Sequence, residues 1–509
     1  MSNISRYISA PAILSALALS ACSDDQPVLT HRDLDGTDTF FASAEAQSQN
    51  IYYKPYVGYV GDPMPFFDPV DKNFKVLYLQ DYRPNQAVTY HPIWAVETSD
   101  AASYTSLGEI VPTGTASELD AAIGTGSTIY HEGTYYTFYT AHSPNPATTA
   151  GINEAVMLAT STDFRTWTKD RSVLIDGGDT YSRTDFRDPF VYRADDGSFH
   201  MLVSTRLGGK GVLAEYTSTD LRDWTSAGVF MTMMWDRFYE CPDLFRMGDW
   251  WYLVYSEQHD AIRRVQYFKG RTIDELRACT ANDAGLWPDS HEGFLDSRGF
   301  YAGKTASDGT DRYIWGWCAT RAGSSTVNAA DWAGNLVAHK LMQRADGTLY
   351  TTEVPAIASM LGQARTIAGF SLSGNESRLM PRLGTENRIE FTVTASSAHD
   401  RFGMSFARGS DSEKYYSIIV NPENGNTRKI NLEEEGGIGF IPDTDGYTFA
   451  TPADGVYHIT VVTDNSVITV YINDAAAFTT RIYGTLKNCW SINSYGADIN
   501  ISDITLQSK

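Results

Sequence analysis

A unit of one polar residue, an apolar strand, a Gly-containing turn and a second, aromatic-rich strand recurs five times along the first two thirds of the chain. The copies start near Asp62 (on to Val76-Leu77-Tyr78), Ser127 (Gly133, then Tyr136-Thr137-Phe138-Tyr139), Asp188 (Asp196-Gly197, then Met201-Leu202-Val203), Glu240 (Gly248, then Tyr252-Leu253-Val254-Tyr255) and Tyr301 (Gly309, then Tyr313-Ile314-Trp315). Asp196-Gly197 and Gly133 mark hairpins. A second motif follows some units: Ser161-Thr162-Asp163 with Trp167, Ser218-Thr219-Asp220 with Trp224, and a looser copy at Ser99-Asp100 with Tyr104. Periods of roughly 50 to 65 residues, each holding hairpins that cannot bury both faces alone, predict a five-bladed β-propeller over residues 51–350. In such a ring the first strand of each blade lines the axis, so equivalent positions of successive units converge. Asp62, Asp188 and Glu240 open their units, and the repeat therefore predicts three carboxylates at one end of the axial channel. Pro63 and Pro189 follow the aspartates directly and Cys241-Pro242 follows Glu240, which is expected to hold the backbone extended and the acids aimed.

Composition agrees with an all-β chain. Among 509 residues there are 30 Tyr, 23 Phe, 11 Trp and 41 Gly, a mixture suited to strands and turns. The formal charge of −22 repels a phosphate backbone, so nucleic acid is excluded as a partner and a neutral, polyhydroxylated one fits better. Residues 1–22 read as a signal peptide: Arg6, an apolar run too short to span a membrane, then Leu19-Ser20-Ala21-Cys22. That last segment resembles a bacterial lipobox, which implies acylation of Cys22. Ser23-Asp24-Asp25 is similar to the signal that sends some Gram-negative lipoproteins to the cell surface. The expectation is an outer-membrane or surface lipoprotein tethered by residues 23–50, a polar stretch without an apolar period. Cys241, Cys279, Cys318 and Cys489 lack metal-ligand or disulfide spacing and are expected to be buried, small apolar residues; no metal is expected. Asp33-Leu34-Asp35-Gly36 lacks the acid that a calcium loop needs at its twelfth position.

Arg187-Asp188-Pro189 resembles the Arg-Asp-Pro box of glycoside hydrolase family 32, the β-fructosidases that include invertases, levanases and inulinases. Glu240-Cys241-Pro242 resembles that family's Glu-Cys-Pro box. Phe300-Tyr301-Ala302 and Ile314-Trp315-Gly316-Trp317 are similar to its fifth-blade segments, and Asp464 to Asp474 with Thr480-Arg481-Ile482-Tyr483 to its β-sandwich signature. The resemblance implies a C-terminal β-sandwich over residues 365–509, joined by a linker at 351–364. The first box departs: Gly61-Asp62-Pro63-Met64-Pro65 stands where family members usually have Asn-Asp-Pro-Asn-Gly, so the nucleophile that the resemblance implies is present without its flanking amides.

Glycosidic cleavage needs a proton donor for the leaving oxygen and a second carboxylate that attacks or activates water. The resemblance implies Asp62 as nucleophile, Glu240 as acid/base and Asp188 as a transition-state stabiliser that stays ionised. Like-charge repulsion is expected to raise the Glu240 pKa. Arg187, Thr125, Gln80 and Asp81 are candidate sugar contacts, whereas most aromatic residues of the Ser-x-Asp repeats are read as packing between blade strands and no Trp or Tyr is assigned to the site. The chemistry requires no cofactor, and the partner is an oligo- or polysaccharide. Two alternatives stay open. One is an inverting furanosidase on the same propeller, whose carboxylates would stand about 6.5–9.5 Å apart against about 5–5.5 Å for a retaining pair. The other is a surface lipoprotein that binds glycan without cutting it.

Overall fold

In the computed structural model the described residues are 51–82, 91–233, 237–258, 263–279, 292–324, 326, 329–408, 411–424, 426–435, 446–483 and 490–509. Cys22, Cys489 and the segments 1–22 and 23–50 lie outside them. The five repeats form five antiparallel four-stranded blades, whose innermost strands are Tyr59–Phe67, Ala122–His131, Phe186–Arg193, Tyr239–Met247 and Phe300–Ser307. Every residue of Phe74–Asp81, the second strand of blade 1, is buried, because neighbouring blades cover both of its faces.

The Ser-x-Asp motif shapes a turn between the third and fourth strands of a blade. Asp163 accepts the backbone N–H groups of Arg165 and Thr166, and Ser161 donates to Asp163, while Trp167 bonds back to the Phe164 carbonyl. Asp220 accepts from Arg222 and Asp223 in the same way, and Asp100 accepts from Ala102 and Ser103. The carboxylate replaces strand partners that the turning backbone has lost. Phe164, Leu221 and Ala101 all take a positive φ within these turns. Trp167 packs on Phe164 and Trp224 on Phe138, so these indoles belong to the blades' packing.

A four-residue helix, Ile357–Met360, precedes two facing sheets built from residues 365 onward. Phe391, Phe402, Ile418, Ile459, Val470 and Trp490 are among the side chains filling the space between them. Cys241, Cys279 and Cys318 are buried and form no disulfide with one another.

The ring closes between blades 5 and 1, where the strands Ala330–Gln343 and Tyr59–Phe67 share one Cα pair, Val60 with Gly334. The sandwich reinforces that seam. Asp464 accepts the N–H groups of Ile51 (2.8 Å) and Tyr52 (3.0 Å), and the Tyr52 hydroxyl bonds to Thr469. Arg481 donates to the carbonyls of Ala319 (2.7 Å) and Cys318 (3.0 Å) and to the side chain of Asn335, which in turn donates to the Tyr52 carbonyl.

Candidate active site

All five innermost strands slip register once, at the same level of the channel. The breaks fall between Val60 and Pro63, Gly124 and Gly126, Arg187 and Phe190, Glu240 and Asp243, and Tyr301 and Lys304. A bulge of this kind inserts a residue and re-aims the side chains beside it. Asp62, Thr125 and Asp188 lie within their bulges. Glu240 does not: it is the last paired residue before its bulge, a place shared by Arg187 in blade 3 and Tyr301 in blade 5. The three acids therefore do not occupy strictly matched positions. Before two of the three prolines the chain is not extended either. Asp188 and Cys241, each directly before a proline, have φ of 58° and 54°. Left-handed backbone is costly for such residues and persists only where the surroundings impose it. Here it turns the Cys241 N–H onto Asp188 Oδ2 at 2.8 Å.

Asp62 accepts two hydrogen bonds, from Thr125 Oγ1 to Oδ2 (2.7 Å) and from Trp317 Nε1 to Oδ1 (2.8 Å). The Asp188 N–H donates to Thr140 Oγ1 (2.9 Å), whose own hydroxyl donates to the Thr125 carbonyl (2.8 Å), tying blades 2 and 3 together. Glu240 Oε2 accepts from the Tyr301 hydroxyl (2.7 Å), and its Oε1 accepts from Gln258 Nε2 (3.1 Å) with Arg187 Nη2 at 3.5 Å. The Arg263 guanidinium lies 3.8 Å from the Tyr301 ring centroid.

Burial raises all three carboxyl groups. Asp62 is pushed up by desolvation, opposed by its bonds from Thr125 and Trp317 and by the Arg263 charge. Desolvation likewise raises Glu240, with the Arg187 charge and the Tyr301 bond opposing it and the Asp62 charge adding to it. Burial is thus the leading cause for Glu240, and like-charge repulsion from Asp62 adds less than the Arg187 charge takes away. Asp188 is pushed up to about 7, first by desolvation, so in the free site it is not held fully ionised at neutral pH. Its buried setting outweighs the charge of Arg187 beside it.

Of the expected sugar contacts, Thr125 and Arg187 join the acids directly. Gln80 is fully buried and donates to the Val57 carbonyl at 2.6 Å, with no partner for its Oε1 among the described residues. Asp81 ends the second strand of blade 1, paired with Tyr59. The remaining hydrogen bonds on the three acids come from Trp317, Tyr301, Gln258 and the Cys241 N–H. Tyr301 and Trp317, which the sequence places in the fifth-blade segments without a role in the site, touch Glu240 and Asp62. Tyr301 opens the fifth repeat, and that position was the available signal; nothing in the repeat marks Trp317 or Gln258. At the altered first box, a Cβ on Gly61 would sit 2.3 Å from Cη2 of Trp332, so the indole takes the space of a side chain there. Among the described residues no group of His, Cys, Asp and Glu is arranged to hold a metal ion.

Residues 52–353 match the model for the glycosyl hydrolases family 32 N-terminal domain. The chain belongs to glycoside hydrolase family 32. Residues 340–506 match a second model of this family, described as "GH32, BT1760-like, C-terminal domain". Among curated relatives, a sucrose-6-phosphate hydrolase of Escherichia coli is 24% identical over 70% of this chain and 73% of its own length. An insoluble β-fructofuranosidase isoenzyme 3 of Oryza sativa subsp. indica is 26% identical over 58% of this chain and 55% of its own. Fructan 1-exohydrolase IIa from Cichorium intybus superposes with a TM-score of 0.75 over 92% of this chain and 98% of its own, at 16% identity. The family 32 architecture of five-bladed propeller and β-sandwich is thereby established, and the protein is a β-fructofuranosidase-like glycoside hydrolase.

Proposed function

We propose that this family 32 protein cleaves β-fructofuranosyl linkages in fructans or sucrose-like sugars by a retaining double displacement. The observation that carries the reading is that Asp62 and Glu240, two buried carboxyl groups on blades 1 and 4, lie close enough at the channel end for the charge of one to raise the other, with each oxygen held by a hydrogen-bond donor. Both oxygens of Asp62 accept hydrogen bonds from neutral donors, which favours the ionised form a nucleophile needs. Glu240 is held by burial toward the protonated form that a general acid needs. In this mechanism Asp62 attacks the anomeric carbon while the Glu240 proton passes to the departing oxygen. Water then displaces the Asp62 carboxylate from the anomeric carbon, giving one proton to Glu240 and restoring the acid. Asp188, facing the sugar from blade 3, accepts hydrogen bonds from its hydroxyls, and a neighbouring oxocarbenium-like charge favours its ionised form. Thr125 and Arg187 serve the carboxylates, and Gln80 and Asp81 are secondary candidates for sugar contact. The names of relatives that cleave sucrose phosphate and fructan support this substrate class, and the lipobox at Cys22 supports a surface lipoprotein that meets its polymer outside the cell.

Sugar release from sucrose, levan, inulin and arabinan tests the reading, with Glu240→Gln as control and the anomeric configuration of the first product followed by NMR. Fructose released with retention, and lost in Glu240→Gln, is expected. An inverted product moves the assignment to a water-activating Asp62, arabinose release moves it to other furanosides, and binding without cleavage makes the protein a glycan receptor.

A further inference from the structure

Arg187 is pulled in two directions. Its Nη1 lies 3.1 Å and 3.3 Å from the two carboxylate oxygens of Glu154 and 3.2 Å from Asp185 Oδ1, whereas its Nη2 reaches Glu240 Oε1 at 3.5 Å. The face of the guanidinium rests on Phe238, 4.3 Å from the ring centroid, which fixes the plane of the fork. Glu154 opens the third strand of blade 2, Glu154–Ser161, is almost wholly buried, and accepts the Phe186 N–H at 2.8 Å. It is thereby bonded to the strand that carries Arg187 and Asp188. In the mechanism proposed above Glu154 has no direct part, yet it is a buried anion holding the only arginine bonded to Glu240 among the described residues.

We infer that Glu154 is a positioning residue for the acid/base, keeping Arg187 on the blade 2 side so that its charge reaches Glu240 only in part. The inference rests on the reading of Glu240 as acid/base. A guanidinium has a rigid fork, so the end engaged with one carboxylate sets how closely the other end approaches the next. Were Arg187 to settle fully on Glu240, the ion pair would favour the carboxylate and drain the proton that the leaving group requires. The other ionisable groups packed around Glu154 and Arg187 are His142, whose Nδ1 is 3.5 Å from Glu154 Oε1, and Asp185, which also pairs with Arg206 at 3.3 Å. Arg206 stacks on the Phe238 ring as well, 5.3 Å from its centroid, so Asp185 and Glu154 together serve two cations.

The test is the pH profile of kcat/KM for Glu154→Gln and Asp185→Asn, measured on levan and sucrose beside the wild type. Replacing Glu154 removes a negative charge and frees a positive one, and both changes favour ionised Glu240. The alkaline limb should therefore move to lower pH, cutting activity on that limb by about threefold to tenfold relative to the optimum. Asp185→Asn should move it the same way by less, since Glu154 still holds Arg187. A limb that stays in place while kcat falls evenly at every pH would reduce Glu154 to a structural part of blade 2, and an upward shift would overturn the inference outright. If Glu154→Gln does not fold, as judged by thermal melting, Asp185→Asn decides by the same criterion. Turnover retained in Glu240→Gln would instead defeat the acid/base reading itself, a result these profiles do not mimic.

Discussion

Trp317 donates its indole N–H to Asp62 Oδ1 at 2.8 Å, carrying a hydrogen bond from blade 5 to blade 1 beside the seam where the ring closes. The bond favours the ionised carboxylate against a desolvation that raises its pKa. Trp317→Phe should therefore raise the Asp62 pKa further, move the acid limb of kcat/KM to higher pH, and cost about 1.5–3 kcal/mol of stabilisation, or roughly tenfold to a hundredfold in rate. An unmoved acid limb would detach Trp317 from the nucleophile.

Tyr301 bears on Glu240 with the opposite sign to Glu154. Its hydroxyl donates to Oε2 at 2.7 Å and favours the carboxylate. In Tyr301→Phe the acid/base should hold its proton to higher pH, so the alkaline limb moves up. The pH profile of the variant checks this, and movement downward would reverse the assigned role.

Asp188 should lower the stability of the fold as the pH rises. Its folded pKa, about 7, lies above the ordinary carboxyl value of about 3.9, so the folded state binds more protons across that window. Its contribution is complete below the unfolded value and lost as the pH passes through 7. Asp188→Asn keeps an oxygen to accept the Cys241 N–H, and should gain on the order of 2 kcal/mol at pH 8 and little at pH 4. Denaturant titrations of both proteins at the two pH values measure it; an equal effect at both would show that Asp188 does not titrate in the window.

Gly61→Asn, which restores the first residue of the family's usual box, should not restore its function. The new Cβ would meet Trp332 at 2.3 Å, and the indole must leave before any side chain fits. The single variant should lose about 1–3 kcal/mol of stability, and Gly61→Asn with Trp332→Ala should recover most of it. Thermal melting of the three proteins gives the comparison, and a well-tolerated single variant would mean that Trp332 swings aside freely.

Much of this architecture is legible in the chain because a propeller writes each blade as a similar string. The hairpin turns at Gly133 and Asp196-Gly197 and the Ser-x-Asp turns mark strand ends through local chemistry, and local chemistry is what a sequence records most directly. The three acids stand out for the same reason, each beside the start of a unit. The bulges do not. A register slip depends on the partner strand, so nothing in Glu240-Cys241-Pro242 announces that Glu240 precedes the bulge while Asp188 lies inside one. Trp317 and Gln258 were equally hidden: ring closure brings Trp317 of blade 5 to Asp62 of blade 1, and the pairing of Tyr239 with Glu257 inside blade 4 brings Gln258, just past the strand end, to Glu240. The pKa of Asp188 followed from depth of burial, which the residue's flanking Arg187 and Pro189 do not disclose.

Asp464 and Arg481, from the sandwich, grip the first residues of the propeller and the last blade at one spot. The C-terminal domain is in this sense a buckle, and cutting it off leaves the amides of Ile51 and Tyr52 without their carboxylate while the join near Asp62 keeps one Cα pair and the bonds from Trp317, Asn335 and the Leu336 N–H. Shuffling this catalytic ring onto another partner module, in evolution or by engineering, would first require that partner to bring its own fastening for the same two strand ends.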